Sequence, residues 1–225
     1  MMTHSRQLHM LIVAGLCVGT FPARADEATA LTQGWKQIPL KYKIQKPYDL
    51  EVKDRYHFDP TNNLHDFWVY FTDKPHEPPP NKTTARTEMR VESFKTGEHM
   101  FDADVNVAAG TSACIAQVFD AAHGPVTMII AHPDGRVTVG NRDVIKTNAI
   151  GNWWNLKVTS DPGTNGQIRI YVDDVLAGAY RSRGPREYYF KCGVYSRKNS
   201  ERSEARFRNI KVWEKSAEPA KKGEP

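Results

Sequence analysis

The side chains best suited to chemistry lie on three short stretches in which polar and apolar residues alternate. The longest covers residues 187–197, EYYFKCGVYSR. Because successive side chains of a β-strand point to opposite faces, one face of this stretch would carry a polar set of residues. That set is Tyr189, Lys191, Gly193, Tyr195 and Arg197. Two phenols and two cations on one strand face predict a site for an anionic ligand, while the opposite face suits a core.

Two further stretches present polar side chains in the same way. In residues 86–90, Arg86, Glu88 and Arg90 share one face, so that two guanidinium groups flank a carboxylate. The same row would also form on a solvent-exposed strand with cross-strand ion pairs, and the pattern leaves both interpretations open. In residues 114–119, Gln117 stands in an otherwise apolar strand. Its amide requires a hydrogen-bond partner, either in the fold or in a ligand.

The segments that must position these residues are short strands. Segments rich in aromatic and β-branched residues are separated by turns such as 133–135, 161–163 and 165–166, which contain glycine, proline, asparagine or aspartate. The predicted strands are 66–71, 83–93, 99–107, 113–119, 126–132, 136–139, 153–159, 167–172, 175–180, 188–195 and 205–213. This spacing predicts an all-β fold, an antiparallel sandwich or jelly roll in one domain.

The two ends of the chain have their own compositions. Residues 1–25 have the pattern of a secretory signal peptide, with Arg6, an apolar run over 8–21 and a small-residue cleavage site at Ala25. The apolar run is too short for a membrane span. We therefore expect a secreted or periplasmic protein without a membrane anchor, consisting of a domain at 26–214 and a disordered tail at 215–225.

Charge and cysteine content exclude several classes of function. The full chain has 31 basic and 26 acidic side chains. Removal of residues 1–25 would leave 29 basic and 26 acidic ones. This excess is too small for a typical nucleic-acid-binding protein, and no zinc-finger, helix-turn-helix or RNP pattern is present. Metal-ligand spacing motifs are also absent, so no metal site is predicted. Cys114 and Cys192 could form a disulfide after export or remain buried thiols, and both alternatives stay open.

Taken in order, the three stretches resemble the motifs of the alginate lyases of polysaccharide lyase family 7. RTEMR at 86–90, QVF at 117–119 and YFKCGVY at 189–195 resemble that family's Arg-Ser/Thr-Glu-x-Arg, Gln-Ile/Val-His and Tyr-Phe-Lys-x-Gly-x-Tyr signatures. The resemblance covers about residues 64–213, and the part from 153 onward is also similar to heparin-lyase-like and glucuronan-lyase-like proteins. It implies a jelly roll of the concanavalin A-like lectin/glucanase type.

The resemblance also implies a reaction: β-elimination on an anionic, uronate-containing polysaccharide, without metal or cofactor, by a carbon–oxygen lyase. Arg86 or Arg90 together with Gln117 would neutralise the sugar carboxylate and stabilise the enolate-like intermediate. Tyr195 would protonate the departing glycosidic oxygen and could also remove the C5 proton. A monomer is expected.

The remaining polar residues of these stretches would bind substrate. The resemblance assigns Lys191 to a neighbouring sugar carboxylate and implies that Glu88, Tyr189 and Arg197 also line the groove. Gly193 would leave space for the sugar. In the same interpretation both cysteines point away from the groove.

One residue departs from the family pattern. Phe119 occupies the position of the histidine in Gln-Ile/Val-His, and a phenyl ring can neither neutralise a carboxylate nor accept a proton. His65 is the first candidate to replace it, and His99, His123 and His132 are weaker ones. The alternative is a non-catalytic carbohydrate-binding module that has lost its base. A glycoside hydrolase is disfavoured because the strands lack the paired carboxylates that such an enzyme requires.

Overall fold

The computed structural model describes residues 31–197 and 200–215 as a sandwich of two antiparallel β-sheets. The predicted signal peptide, 1–25, and residues 216–225 of the predicted tail lie outside the described residues. The strands are β1 (Trp35–Ile38), β2 (Tyr42–Gln45), β3 (Tyr56–Asp59), β4 (Leu64–Tyr70), β5 (Arg86–Val91), β6 (His99–Val107), β7 (Ala113–Asp120), β8 (Gly124–Ala131), β9 (Val137–Val139), β10 (Asp143–Lys146), β11 (Trp153–Ser160), β12 (Gln167–Val172), β13 (Val175–Arg181), β14 (Tyr188–Ser196) and β15 (Arg202–Lys215). A short 3-10 turn, Val52–Asp54, precedes β3.

The strands divide into a seven-stranded and an eight-stranded sheet. The seven-stranded sheet has the order β10-β9-β8-β7-β14-β5-β2. The eight-stranded sheet has the order β13-β12-β11-β6-β15-β4-β3, and β1 pairs with β15. Adjacent strands in both sheets are antiparallel, as in β14 with β5 and β6 with β15. The all-β antiparallel sandwich predicted from the sequence is confirmed.

The hydrophobic core lies between the sheets because each strand turns its apolar alternate residues inward. In β14, Phe190, Cys192 and Val194 are buried in the core, and in β4 Phe67 and Val69 are fully buried. Burial of one such phenylalanine side chain contributes about 2–3 kcal/mol. The same alternation leaves the polar residues of β5, β7 and β14 on the outer face of the seven-stranded sheet, which is where the candidate site forms.

The strand predictions differ from the structure mainly at the sheet edges. The bounds of β6 and β12 are as predicted, whereas β1, β2, β3 and β10 were not predicted. These four strands have four residues each, the shortest length over which alternation can be recognised. Residues 31–197 and 200–215 contain no helical segment with the length and hydropathy that a bilayer span requires.

Candidate functional site

The fold brings the three polar stretches together on one sheet face. In the seven-stranded sheet, β14 lies between β7 and β5. Lys191 of β14 is paired with Gln117 on one side and with Arg90 on the other. Tyr195 is paired with Arg86. Because these pairs are in register, their side chains form a continuous polar surface across three strands.

A cavity of about 510 Å³ lies over this surface. It is lined by Gln45, His76, Glu77, Thr83, Arg86, Arg90, Gln117, Phe119, Pro125, Met128, Tyr189, Lys191 and Tyr195. Six of the nine residues predicted from the sequence are therefore in one cavity: Arg86, Arg90, Gln117, Tyr189, Lys191 and Tyr195.

Glu88 organises the floor of this cavity. Its carboxylate is 1% exposed and accepts hydrogen bonds from Gln117 Nε2 and from Lys191 Nζ, the latter at 3.3 Å. Arg86 Nη1 lies 3.5 Å from the same carboxylate. The resemblance implied a substrate contact for Glu88, and this geometry does not support it, because the Glu88 oxygens are buried and already accept hydrogen bonds from protein donors.

The cavity keeps an excess of positive charge. Three cations, Arg86, Arg90 and Lys191, line it together with one carboxylate, Glu77, and the buried Glu88 beneath them contacts two of the three cations. Burial lowers the pKa of Lys191 below its ordinary value, and Glu88 opposes this by stabilising the ammonium ion. Arg86 is 6% exposed, and its Nε has no partner among the described residues. An anionic ligand would compensate this charge.

Aromatic rings hold the three cations in place. The guanidinium of Arg86 lies 4.0 Å from the ring centroid of Tyr195, and that of Arg90 lies 4.1 Å from the centroid of Tyr189. Lys191 Nζ lies 4.8 Å from the centroid of Phe119. Cation–π contacts of this kind limit the conformations of long side chains. Phe119 therefore packs against Lys191, and its phenyl ring can neither donate nor accept a proton.

Tyr195 lies between two cavities. It lines the cavity described above and also a neighbouring cavity of about 510 Å³ that contains Met128, Ile130 and Arg197. Arg197 is thus separate from the Lys191 cluster, and its guanidinium donates to Asn141 Oδ1 at 3.2 and 3.3 Å.

Two expectations for β14 and β7 are corrected by local geometry. A Cβ on Gly193 would lie 2.4 Å from the Thr87 carbonyl oxygen, so this glycine allows β5 to approach and does not make room for a sugar. Cys114 faces the second cavity, because the register of β7 shifts between Cys114 and Ala116. Only Cys192 joins the core, and both cysteines are free thiols.

His65 does not lie in the site. It is on β4 of the eight-stranded sheet, is 3% exposed and shares its strand face with the core residue Phe67. Its ring stacks on Phe58 at 4.4 Å, and its Nδ1 lies 2.8 Å from the Tyr56 hydroxyl. Burial lowers its pKa to about 4. His65 therefore does not line the cavity that holds Arg86, Gln117 and Tyr195, and its position does not support the expectation that it replaces the missing histidine.

The histidine that does line the cavity is His76. It lies in the proline-rich connection between β4 and β5 and is not among the residues predicted from the sequence. No strand pattern covers this connection, so nothing in the sequence indicated where its side chain would lie. None of His99, His123 and His132 lines either of the two cavities.

Comparisons with known proteins agree with this architecture. The model of a family described as alginate lyase matches residues 39–214. A citrate-binding protein from Hevea brasiliensis is 31% identical over 190 residues, which cover 81% of this chain and 78% of that protein. The alginate lyase from Corynebacterium sp. superposes with a TM-score of 0.61 at 13% identity, covering 76% of this chain and 92% of its own. A family 7 alginate lyase solved in complex with substrate gives a TM-score of 0.59 at 13% identity, covering 88% of this chain and 100% of that chain.

Proposed function

Because this chain belongs to the alginate lyase family, we propose that it cleaves an anionic, uronate-containing polysaccharide by β-elimination. The observation that carries the proposal is the cluster of Arg86, Arg90, Lys191 and Gln117 beside Tyr195. A uronate ring brings one carboxylate per unit, and the cavity offers several cations against one buried carboxylate, Glu88. The alginate lyases with the same fold support this class of substrate.

The residue types fit the first step of the reaction. The C5 proton of a uronate is weakly acidic because the adjacent carboxylate is already negative. Arg86 and Gln117 would neutralise that carboxylate and stabilise the enolate-like charge that develops on its oxygens. Gln117 Nε2 carries two protons and gives one to Glu88, so one donor remains for a ligand. Glu88 holds Arg86 and Gln117 in place before substrate binds, which reduces the free-energy cost of reorganising these side chains during the reaction.

Tyr195 fits the second step. Its ring is held against Arg86, and its position between the two cavities suits protonation of the oxygen that leaves C4. Lys191 would bind the carboxylate of a neighbouring unit in the same cavity. The signal-peptide pattern of residues 1–25 supports action outside the cytoplasm, where such polysaccharides occur.

A panel of alginate, glucuronan and heparin-type glycans tests the proposal. The wild-type protein should release unsaturated uronates, detected by ultraviolet absorbance, from at least one of them. Tyr195→Phe keeps the ring and its contact with Arg86 but removes the proton donor, and the rate should fall at least about 100-fold. The absence of unsaturated product from every glycan would overturn the proposal, and full activity of Tyr195→Phe would overturn the role of Tyr195.

Non-catalytic binding of a carboxylate ligand is the second candidate. It is favoured by Phe119 at the family's histidine position and by the relationship to a protein named for citrate binding. A citrate ion and a uronate oligomer both present several carboxylates, and the same cations could bind either. Calorimetric titration with citrate and with uronate oligomers separates the candidates. Binding of citrate together with inactivity on every glycan would favour the binding protein.

A further inference from the structure

His76 lies in the connection between β4 and β5 and is the histidine that lines the cavity shared by Arg86, Lys191 and Tyr195. Its side chain is 15% exposed. The adjacent Glu77 lines the same cavity. Residues 71–85 form no strand, so this connection can hold a side chain over the sheet face without being part of the sheet.

The contacts of His76 leave one ring nitrogen without a hydrogen-bond partner among the described residues. Nε2 lies 3.4 Å from Glu77 Oε1, and Glu77 Oε2 in turn accepts a hydrogen bond from Asn81 Nδ2 at 3.1 Å. Nδ1 is shielded from solvent and has no hydrogen-bond partner among the described residues. A carboxylate beside Nε2 favours the tautomer with the proton on that nitrogen. The lone pair of Nδ1 is then free to accept a proton.

Burial, together with the charges around His76, lowers its pKa. Glu77 belongs to its own connection, Arg86 and Glu88 face it from β5, and Lys191 faces it from β14. Burial lowers the pKa of His76, Arg86 and Lys191 lower it further, and the two glutamates oppose them. A histidine whose pKa lies below the ordinary value of about 6.5 is unprotonated at neutral pH, as a base must be.

We propose that His76 is the base that removes the C5 proton, a function that the phenyl ring of Phe119 cannot supply. The inference rests on the proposed lyase function. The C5–H bond breaks and its proton passes to His76 Nδ1, while the electron pair forms the C4–C5 double bond. The C4–O bond breaks, and the Tyr195 hydroxyl protonates the departing oxygen. Return of the proton from His76 to the Tyr195 phenolate through solvent restores both residues, and no co-reactant is consumed.

Kinetics of His76→Gln test this assignment. Glutamine is close in size and polar but cannot accept a proton at neutral pH, and His76 is not in the hydrophobic core. We expect kcat to fall at least about 100-fold while KM changes less than about threefold. His57→Gln is the matched control, because His57 is an exposed histidine on β3 of the other sheet, and it should retain wild-type kinetics.

The pH profile separates a base from a residue that only shapes the cavity. In the wild-type protein, kcat/KM should fall as the pH drops through the lowered pKa of His76, whereas kcat should fall at a higher pH because a bound carboxylate stabilises the imidazolium. His76→Gln should lose this acid limb, and added imidazole should restore part of the activity of His76→Ala.

Each outcome has a distinct meaning. An active wild type with an equally active His76→Gln, or with an unchanged acid limb in that variant, overturns the role of His76 and leaves the lyase proposal standing. A wild type that releases no unsaturated product from any glycan overturns both.

Discussion

Glu88 determines how the cationic residues of the cavity are arranged. It is almost fully buried and contacts Arg86, Gln117 and Lys191. Removal of one member of a buried ionic network leaves the charges of the other members buried and unpaired. Glu88→Gln should therefore lower the free energy of unfolding by about 3 kcal/mol, measured by urea denaturation.

A nearby surface glutamate provides the control for that substitution. Glu92 forms an ion pair with Lys41 at 3.2 Å, and both side chains are more than 60% exposed. Glu92→Gln should change the unfolding free energy by less than about 0.5 kcal/mol. Equal effects of the two substitutions would mean that Glu88 is not a structural centre of the site.

His65 is expected to affect stability and not turnover. Its pKa is about 4 in the folded protein, because burial disfavours the charged ring, against an ordinary value of about 6.5. Between these pH values the unfolded chain binds more protons, so stability should fall as the pH drops from about 6.5 to 4. His65→Phe should reduce this loss, measured as the pH dependence of the urea midpoint. An identical dependence in both proteins would contradict the burial argument.

Among the elements, the contact between β14 and β5 depends on Gly193. Its φ is +132°, and an added Cβ would meet the Thr87 carbonyl oxygen and the Glu88 Cα within 3 Å. Gly193→Ala should therefore destabilise the protein by about 2–4 kcal/mol through overpacking and backbone strain. Gly110 has a φ of +80° with nothing within 4 Å of the position that a Cβ would take, so Gly110→Ala should cost only about 1 kcal/mol. If urea denaturation showed equal losses of stability for Gly193→Ala and Gly110→Ala, the positive φ alone would explain both, and the close contact between β14 and β5 would contribute nothing.

The strands that carry the site could be predicted, whereas irregular positions could not. Alternation placed Arg86, Gln117 and Lys191 on outward faces, and pairing in the sheet then brought them together. The register shift next to Cys114 depends on its partner strands, so strict alternation assigned this residue to the wrong face. His76 is in a connection whose path depends on tertiary contacts, and periodicity contains no information about it.

At the scale of the whole molecule, the distribution of charge matters more than its sum. The full chain has a formal net charge of only +5. Yet Arg86, Arg90 and Lys191 line one cavity, whereas Arg169 on the other sheet is paired with Glu98 at 3.1 Å. An anionic ligand should therefore be attracted to one face of the sandwich, although the molecule as a whole is nearly neutral.

Binding measurements at different salt concentrations test this distribution. We expect the Kd of a tetrameric uronate for Tyr195→Phe, the variant expected to turn over at least about 100-fold more slowly, to rise with sodium chloride because salt screens the attraction. Adding Arg90→Gln to this variant should weaken binding about tenfold, or about 1.4 kcal/mol, and make the salt dependence shallower. Adding Arg169→Gln removes the same charge from the opposite sheet and should leave both quantities unchanged. Equal losses from the two substitutions would mean that binding follows net charge, and the cavity would then not be the binding site.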